Sequence, residues 1–263
     1  MLRRAKKTLG QHFLHSGRAL ETIIETARLA AGESVLEIGP GRGALTEKLL
    51  AAGARVRAVE KDDDLIGWLQ SKFSAAIKNK QLELIHADIF DFLKTESSDA
   101  LVGIPTLRRD WKLIANPPYY LTGQILRRFL TADQPPRLAV LMLQKEVVKR
   151  IIAADHKESI LSISVKAYGE PRYIMTVPAK DFTPAPKVDS AIVLIDQINK
   201  NKFRDQSEEK FFVRLKRGFA GKRKMLKNNL ELTAKILDAC QIAPAARAEN
   251  LNLNQWLCLA KYF

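Results

Sequence analysis

The feature that most constrains this chain is the alternation of short apolar runs with amphipathic stretches between Ser34 and about Ala154. Ser34–Ile38, Arg55–Glu60, Leu82–His86, Lys112–Ala115 and residues 137–143 read as buried strands. Residues 45–51, 63–73, 123–130 and 145–154 between them carry helical spacing. Another amphipathic helix is expected after Gly17, with Leu20, Ile23, Ile24 and Ala27 on one face. Strands separated by helices cannot pair as hairpins, so they lie parallel with the helices packed on the sheet. The expected fold class is therefore α/β with a doubly wound, Rossmann-like sheet. Ile160–Tyr168 and residues 172–177 and 188–195 read as closing strands.

Beyond residue 195 the pattern changes. Residues 199–206 form a polar stretch that reads as a linker, and 207–263 are helical only, with Phe212, Leu215 and Phe219 on one face and Lys210, Arg214 and Arg217 on another. This places a boundary near residue 198, giving a sheet domain over 1–198 and a small all-α domain over 199–263. Charge narrows the partners. Forty-three Lys+Arg against 29 Asp+Glu leave a formal charge of +14, an excess suited to a polyanion. Arg3, Arg4, Lys6, Lys7 and Arg18 all precede the first acid, Glu21. Lys210, Arg214, Lys216, Arg217, Lys222, Arg223, Lys224 and Lys227 follow one another without an intervening carboxylate, and read as a basic helix. The longest apolar run, Leu138-Ala-Val-Leu-Met-Leu143, falls far short of the ~20 residues that span a bilayer. The basic N-terminus lacks the apolar core of a signal peptide. Cys240 and Cys258 are distant in sequence and form no Cys-x-x-Cys, so they read as buried apolar fillers rather than a disulfide or zinc site. His12-x-x-His15 has no third ligand nearby, so no metal is expected. The expectation is a soluble, cytoplasmic protein that meets nucleic acid.

Four motifs carry chemistry. Glu37-Ile-Gly-Pro-Gly-Arg-Gly43 follows a strand and precedes a helix, where Gly39 and Gly41 let the backbone approach a ligand. The same glycines fit a loose dinucleotide fingerprint or a plain tight turn. Glu60 ends the next strand, where a carboxylate can accept hydrogen bonds from ribose hydroxyls or stand as a solvated strand-end acid. Asp88 follows the third strand, placed for a cofactor's exocyclic amine or for a helix N-cap. Asn116-Pro-Pro-Tyr119 discriminates among these readings. A planar NH2 group is a poor nucleophile because its lone pair is delocalised. The Asn116 side-chain oxygen and the Pro117 carbonyl can accept its two N–H bonds and aim the lone pair at an incoming methyl, while Tyr119 stacks on the base. Positioning suffices because the sulfonium methyl of S-adenosylmethionine is already activated.

Leu9-Gly-Gln-His-Phe-Leu14, Val35-Leu-Glu-Ile-Gly-Pro-Gly41, Asn116-x-Pro-Tyr119, Gln144-Lys-Glu-Val-Val148 and Phe182-Thr-Pro-Ala-Pro-Lys-Val-Asp-Ser190 together resemble the ribosomal RNA adenine N6-dimethyltransferases. Arg223-Lys-x-Leu-x-Asn-x-Leu230 and Arg247-Ala-Glu-Asn-Leu251 point to the small-subunit, kasugamycin-sensitivity branch. The resemblance covers nearly the whole chain. It implies a class I S-adenosylmethionine-dependent methyltransferase that dimethylates two adjacent adenines in a hairpin loop near the 3′ end of small-subunit rRNA. It further implies cofactor contacts at His12, Leu14, Gly39, Glu60, Asp88 and Asn116, and a base sandwiched between Tyr119 and Phe182, whose bland alternative is a packed loop. Phosphate contacts would come from Arg217, Lys222, Arg223, Lys224 and Lys227. A monomer acting on the pre-small subunit is expected. The chain departs from the family at two places. Pro117 stands where leucine is usual, keeping the carbonyl acceptor and biasing Asn116 toward extended backbone; His12 stands where asparagine is general. The rival readings are a large-subunit rRNA methyltransferase of the macrolide-resistance type, a protein glutamine methyltransferase sharing Asn-Pro-Pro-Tyr, and a ribosome-assembly factor in which methylation is secondary.

Overall fold

A computed structural model describes residues 5–95, 110–204, 206–221 and 223–262. Arg3, Arg4, Lys222 and residues 96–109 lie outside the described residues. The chain runs β1 (Phe13–Leu14), α1 (Gly17–Ala27), β2 (Ser34–Ile38), α2 (Ala44–Ala51), β3 (Arg55–Glu60), α3 (Asp63–Lys72), α4 (Ser74–Lys78), β4 (Leu82–His86), α5 (Ile89–Thr95) and β5 (Lys112–Ala115). It continues through α6 (Thr122–Leu130), β6 (Leu138–Gln144), α7 (Lys145–Ile152), α8 (Ile160–Tyr168), β7 (Glu170–Val177), β8 (Phe182–Thr183) and β9 (Ser190–Asp196). It ends in α9 (Glu208–Phe219), α10 (Leu226–Leu230), α11 (Ala234–Ala239) and α12 (Leu253–Ala260).

Seven strands form one sheet in the order β4-β3-β2-β5-β6-β9-β7, and β1 pairs with β8 in a separate ribbon. Strands β4, β3, β2, β5 and β6 are parallel, and β9 runs antiparallel to β6. All residues of β2 and β5 are buried, as sheets covered on both faces require. The winding reverses between β2 and β5. Such a switch point leaves a crevice at the carboxyl ends of the strands, where doubly wound sheets hold ligands.

A lysine sits in the core of this sheet. Lys112, fully buried at the start of β5, donates from Nζ to the carbonyls of Ala27 and Arg28 at 2.9 and 2.8 Å and to Glu33 at 2.6 Å. It thereby satisfies the end of α1, where helix carbonyls lack intrahelical partners.

The chain divides into two compact units, Met1–Lys145 with Arg172–Asp196, and Glu146–Pro171 with Gln197–Phe263. The second takes up α7 and α8 besides the C-terminal helices, so a boundary at 198 accounts for one of three crossings. Ile160–Tyr168 is a helix and not the expected strand. Its branched apolar residues suit either state, and the reciprocal cap between Ser159 and Ser162 starts a helix. Residues 199–206 are not a free linker. The Asn199 amide bonds to the Tyr168 carbonyl, and Phe203 packs within 5.5 Å of the Tyr168 ring. The basic run is not one helix either. It ends at Phe219 and restarts at Leu226, because Asn229 Nδ2 caps the Gly218 and Gly221 carbonyls at 2.8 and 3.3 Å. In α9 the buried line is Phe211, Leu215 and Gly218, with Phe212 stacked on Tyr168. Cys240 and Cys258 are bonded to each other, correcting their reading as separate fillers. Their Cα atoms lie 5.6 Å apart across 18 residues of sequence, a span no local pattern marks. No described helix is long and apolar enough to cross a membrane.

Candidate active site

A cavity opens at the switch point. It is lined by Leu9–Leu14, Leu20 and residues 37–42, 44–45, 59–61, 87–89 and 116–121. His12, Leu14, Gly39, Gly41, Glu60, Asp88 and Asn116 all face it, as do Pro117 and Tyr119.

The glycine loop after β2 shapes its floor. Gly41 has φ +58°, and a Cβ there would meet the Phe13 ring at 3.1 Å. Gly43 has φ +73°, and a Cβ would strike Phe73 at 2.5 Å. Backbone conformation therefore favours glycine at both positions, and at Gly43 space does so as well.

Glu60 ends β3 and is buried. Its Oε2 accepts from the Gly41 amide at 3.0 Å and its Oε1 from the Asp62 amide at 2.8 Å. Burial pushes its carboxyl above the usual range, while these amides oppose the shift. The Lys61 backbone amide bonds to the same carboxylate, and with two acceptor sites on each oxygen the group can still take a further hydrogen bond. Asp88 caps the Phe90 amide at 2.8 Å through Oδ1 and pairs with Lys61 at 2.9 Å through Oδ2. Burial raises its pKa, but Lys61 and the Phe90 amide outweigh that and hold the carboxyl below its ordinary value. Val59 and Ile89 line the same cavity as these two acids. A buried diol acceptor, a second acid and apolar walls in one cavity fit a nucleoside such as that of S-adenosylmethionine.

Asn116 and Tyr119 stand on the other side of the switch point, after β5. Asn116 Nδ2 donates to the His12 carbonyl at 3.5 Å, which turns the amide so that Oδ1 faces away from His12. The Tyr119 hydroxyl lies 2.6 Å from Ser190 Oγ. That contact fixes the half-buried ring, and burial raises the phenol's pKa. The His12 ring lies nearly parallel to it, centroids 6.1 Å apart and planes at 21°. His12 Nδ1 is 2.7 Å from the Pro184 carbonyl oxygen, so this side chain is engaged by the loop after β8.

Phe182 is placed elsewhere. It pairs with Leu14 across the β1–β8 ribbon, is 3% exposed, and belongs to the core cluster with Leu14, Leu20 and Val177. It does not line the cavity. In this structure the ring packs in the core cluster and does not share the cavity with Tyr119.

Several lining residues carried no role in the sequence reading. Glu37, fully buried, accepts from Thr46 Oγ1 at 2.8 Å, and burial pushes its carboxyl up to about 8. Glu37 lies in the glycine motif, so position was a signal, but its protonation depends on burial. Lys61 and Tyr120 also line the cavity, each directly after a motif residue, Glu60 and Tyr119 respectively.

The basic candidates belong to the second unit. Arg223 and Lys224 are exposed, and Lys227 is half-buried. Arg217 is committed within the fold, donating from Nη2 to Glu231 at 2.5 Å and from Nε to the Asn229 carbonyl at 3.1 Å.

Comparison with known proteins gives one consistent grouping. The ribosomal RNA adenine dimethylase family matches residues 2–263. A protein from Dehalococcoides mccartyi named ribosomal RNA small subunit methyltransferase A is 40% identical, over 97% of this chain and 88% of its own length. One of the same name from Synechococcus elongatus is 40% identical, over 97% and 94%. Among solved structures, a dimethyladenosine transferase from Plasmodium falciparum superposes with a TM-score of 0.77 at 25% identity, covering 94% of this chain and 96% of that one. The 23S rRNA methyltransferase ErmE gives 0.74 at 25% identity, covering 95% and 98%.

Proposed function

The chain belongs to the ribosomal RNA adenine dimethylase family, and from that premise we propose that it dimethylates N6 of two adjacent adenines in the 3′-terminal hairpin loop of small-subunit rRNA during subunit assembly. The observation that carries this reading is the placement of Asn116-Pro-Pro-Tyr119 at the switch point, across one cavity from Glu60 and Asp88.

S-adenosylmethionine, the cofactor of this family's methyl transfer, supplies a methyl already activated by its sulfonium. What remains for the chain is orientation. Glu60 accepts the ribose hydroxyls, and Asp88 accepts from the adenine amine of the cofactor. Asn116 Oδ1 and the Pro117 carbonyl accept the N–H groups of the target N6 amine, keeping its lone pair out of the ring plane. Tyr119, held by Ser190, offers its face to the target base, a stacking contact worth ~1–3 kcal/mol. After a first transfer one N–H remains, and a single acceptor still orients the amine for the second. Target adenines must leave the stack to reach such a site, which a hairpin loop permits at low cost. Arg223, Lys224 and Lys227 supply phosphate contacts, with Lys222 in the same run. The protein works as a monomer in the cytoplasm on the pre-small subunit.

The small-subunit substrate is favoured over the large because relatives at 40% identity carry the small-subunit name, against 25% for the 23S enzyme. The test is incubation with methyl-labelled S-adenosylmethionine and separated, unmodified small and large subunits. Label in N6,N6-dimethyladenosine of the small subunit is expected. Label confined to large subunits or to a release factor would overturn the reading.

A further inference from the structure

Asp62 makes contacts that its local role does not require. It caps α3, and for this one oxygen bonded to the Asp64 amide at 3.0 Å is sufficient. Yet the side chain is 3% exposed, and both of its oxygens reach the N-terminal segment. Lys6 Nζ lies 2.5 Å from Oδ1, and Gln11 Nε2 donates to Oδ2 at 2.5 Å. Lys6 also pairs with Asp64 at 3.0 Å, and its backbone amide donates to Gln11 Oε1 at 2.8 Å, closing the segment on itself. A buried carboxylate is costly unless paired and hydrogen-bonded. Burial does push the Asp62 carboxyl up, but Lys6, Gln11 and the Asp64 amide outweigh it and keep the group ionised.

The segment held in this way lies against the cavity. Leu9, Gly10 and Gln11 line it. Gly10 has φ +61°, and a Cβ there would meet the Tyr120 ring at 3.4 Å and Pro118 at 3.6 Å. The segment therefore runs from the ribose side, where the Asp62 amide holds Glu60, to the Asn-Pro-Pro-Tyr side, where the His12 carbonyl holds Asn116.

We propose that Asp62 is a positioning residue for the cofactor, fastening residues 6–11 across the cavity through Lys6 and Gln11 so that bound S-adenosylmethionine leaves only when this fastening opens. The proposal rests on the reading of the cavity as the cofactor site. A merely structural role would tie down a chain end and lower melting temperature without altering cofactor kinetics.

The test uses the full chain with Asp62→Asn, which keeps the α3 cap because asparagine caps as well as aspartate, and Lys6→Met, which removes the charge from the other side. Stopped-flow dissociation of S-adenosylmethionine should speed by roughly tenfold to a hundredfold in each, as expected for loss of a hydrogen bond to a charged group. KM for S-adenosylmethionine should rise in step, with kcat at saturating cofactor within about twofold of wild type. Raising salt should speed dissociation from the wild type and have less effect on Lys6→Met, because the ion pair it screens is already gone. Amides of residues 6–12 should gain hydrogen-exchange protection on cofactor binding in the wild type and gain less in the variants. Dissociation rates within twofold of wild type, with or without a lower melting temperature, would overturn the proposal and leave Asp62 as a structural fastening. A wild-type chain that fails to bind S-adenosylmethionine at all would instead overturn the cofactor reading beneath it.

Discussion

Glu60 Oε2 accepts the Gly41 amide at 3.0 Å, so the carboxylate that ends one strand is fixed to the glycine loop that follows its neighbour. A ribose held by Glu60, as proposed, would thereby be placed relative to that loop. Glu60→Gln keeps the volume but replaces one acceptor oxygen with a donor and removes the charge. Affinity for S-adenosylmethionine should fall by ~1.5–3 kcal/mol, the worth of hydrogen bonds to a charged group. Titration calorimetry measures it, and an unchanged Kd would remove Glu60 from the ribose site.

If Asn116 orients the amine in the transition state, as proposed, Asn116→Ala should lower kcat by about 10²–10³, as for other preorganised polar groups. RNA affinity should change little. Single-turnover rates on small subunits decide; near-normal turnover would make the motif a structural turn.

The burial of Phe182 separates two roles. Phe182→Ala should cost on the order of 3–5 kcal/mol of stability, the usual range for emptying a buried phenyl site. Phe182→Leu keeps most of the volume, and its turnover should stay within a few-fold of wild type, since the ring packs in the core. A Leu variant of normal melting temperature that loses a hundredfold in rate would restore the aromatic clamp on the base.

Glu37 links stability to pH. Its folded carboxyl titrates at about 8 against a reference of 4.5, so between these values the native state holds a proton that the unfolded chain has released. Stability contributed by this site therefore falls as pH rises from about 4.5 to 8 and levels off above. Glu37→Gln abolishes that slope. The variant should match wild type near pH 5 and exceed it by a few kcal/mol, on the order of 3–5, above pH 8. Urea unfolding of both proteins across this range, without cofactor, reads the difference; parallel curves would contradict the burial assignment.

Arg223 and Lys224 are exposed in the turn between α9 and α10. If each neutralises a phosphate, Arg223→Ala with Lys224→Ala should flatten the plot of log affinity against log salt by ~1.4–1.8, two contacts at ~0.7–0.9 each. Arg217→Ala should flatten it less, because Arg217 is paired with Glu231. Filter binding of a small-subunit hairpin across a salt series tests both. An unchanged slope in the double variant would move the RNA footprint to the N-terminal cations.

Local pattern alone determined the parallel sheet and most of its strands, since burial on both faces and short helical repeats between strands are written in consecutive residues. It also determined the cavity's main residues. Gly39, Gly41, Glu60, Asp88 and Asn116 each lie at the carboxyl end of a strand or within three residues after it, and in a doubly wound sheet strand ends meet at the switch point whatever the helices do. Tertiary structure decided what depends on residues far apart in sequence. The β1–β8 ribbon has two residues per strand, too short to show a period, yet it turns Phe182 into the core. Ile160–Tyr168 satisfied a strand pattern as well as a helical one, and the Ser159 cap selected the helix. Cys240 meets Cys258, Arg217 meets Glu231, and Lys6 meets Asp62 only after the chain has folded back on itself. Such contacts leave no local signal, because the free energy that forms them comes from packing between elements and not from the residues beside them in sequence.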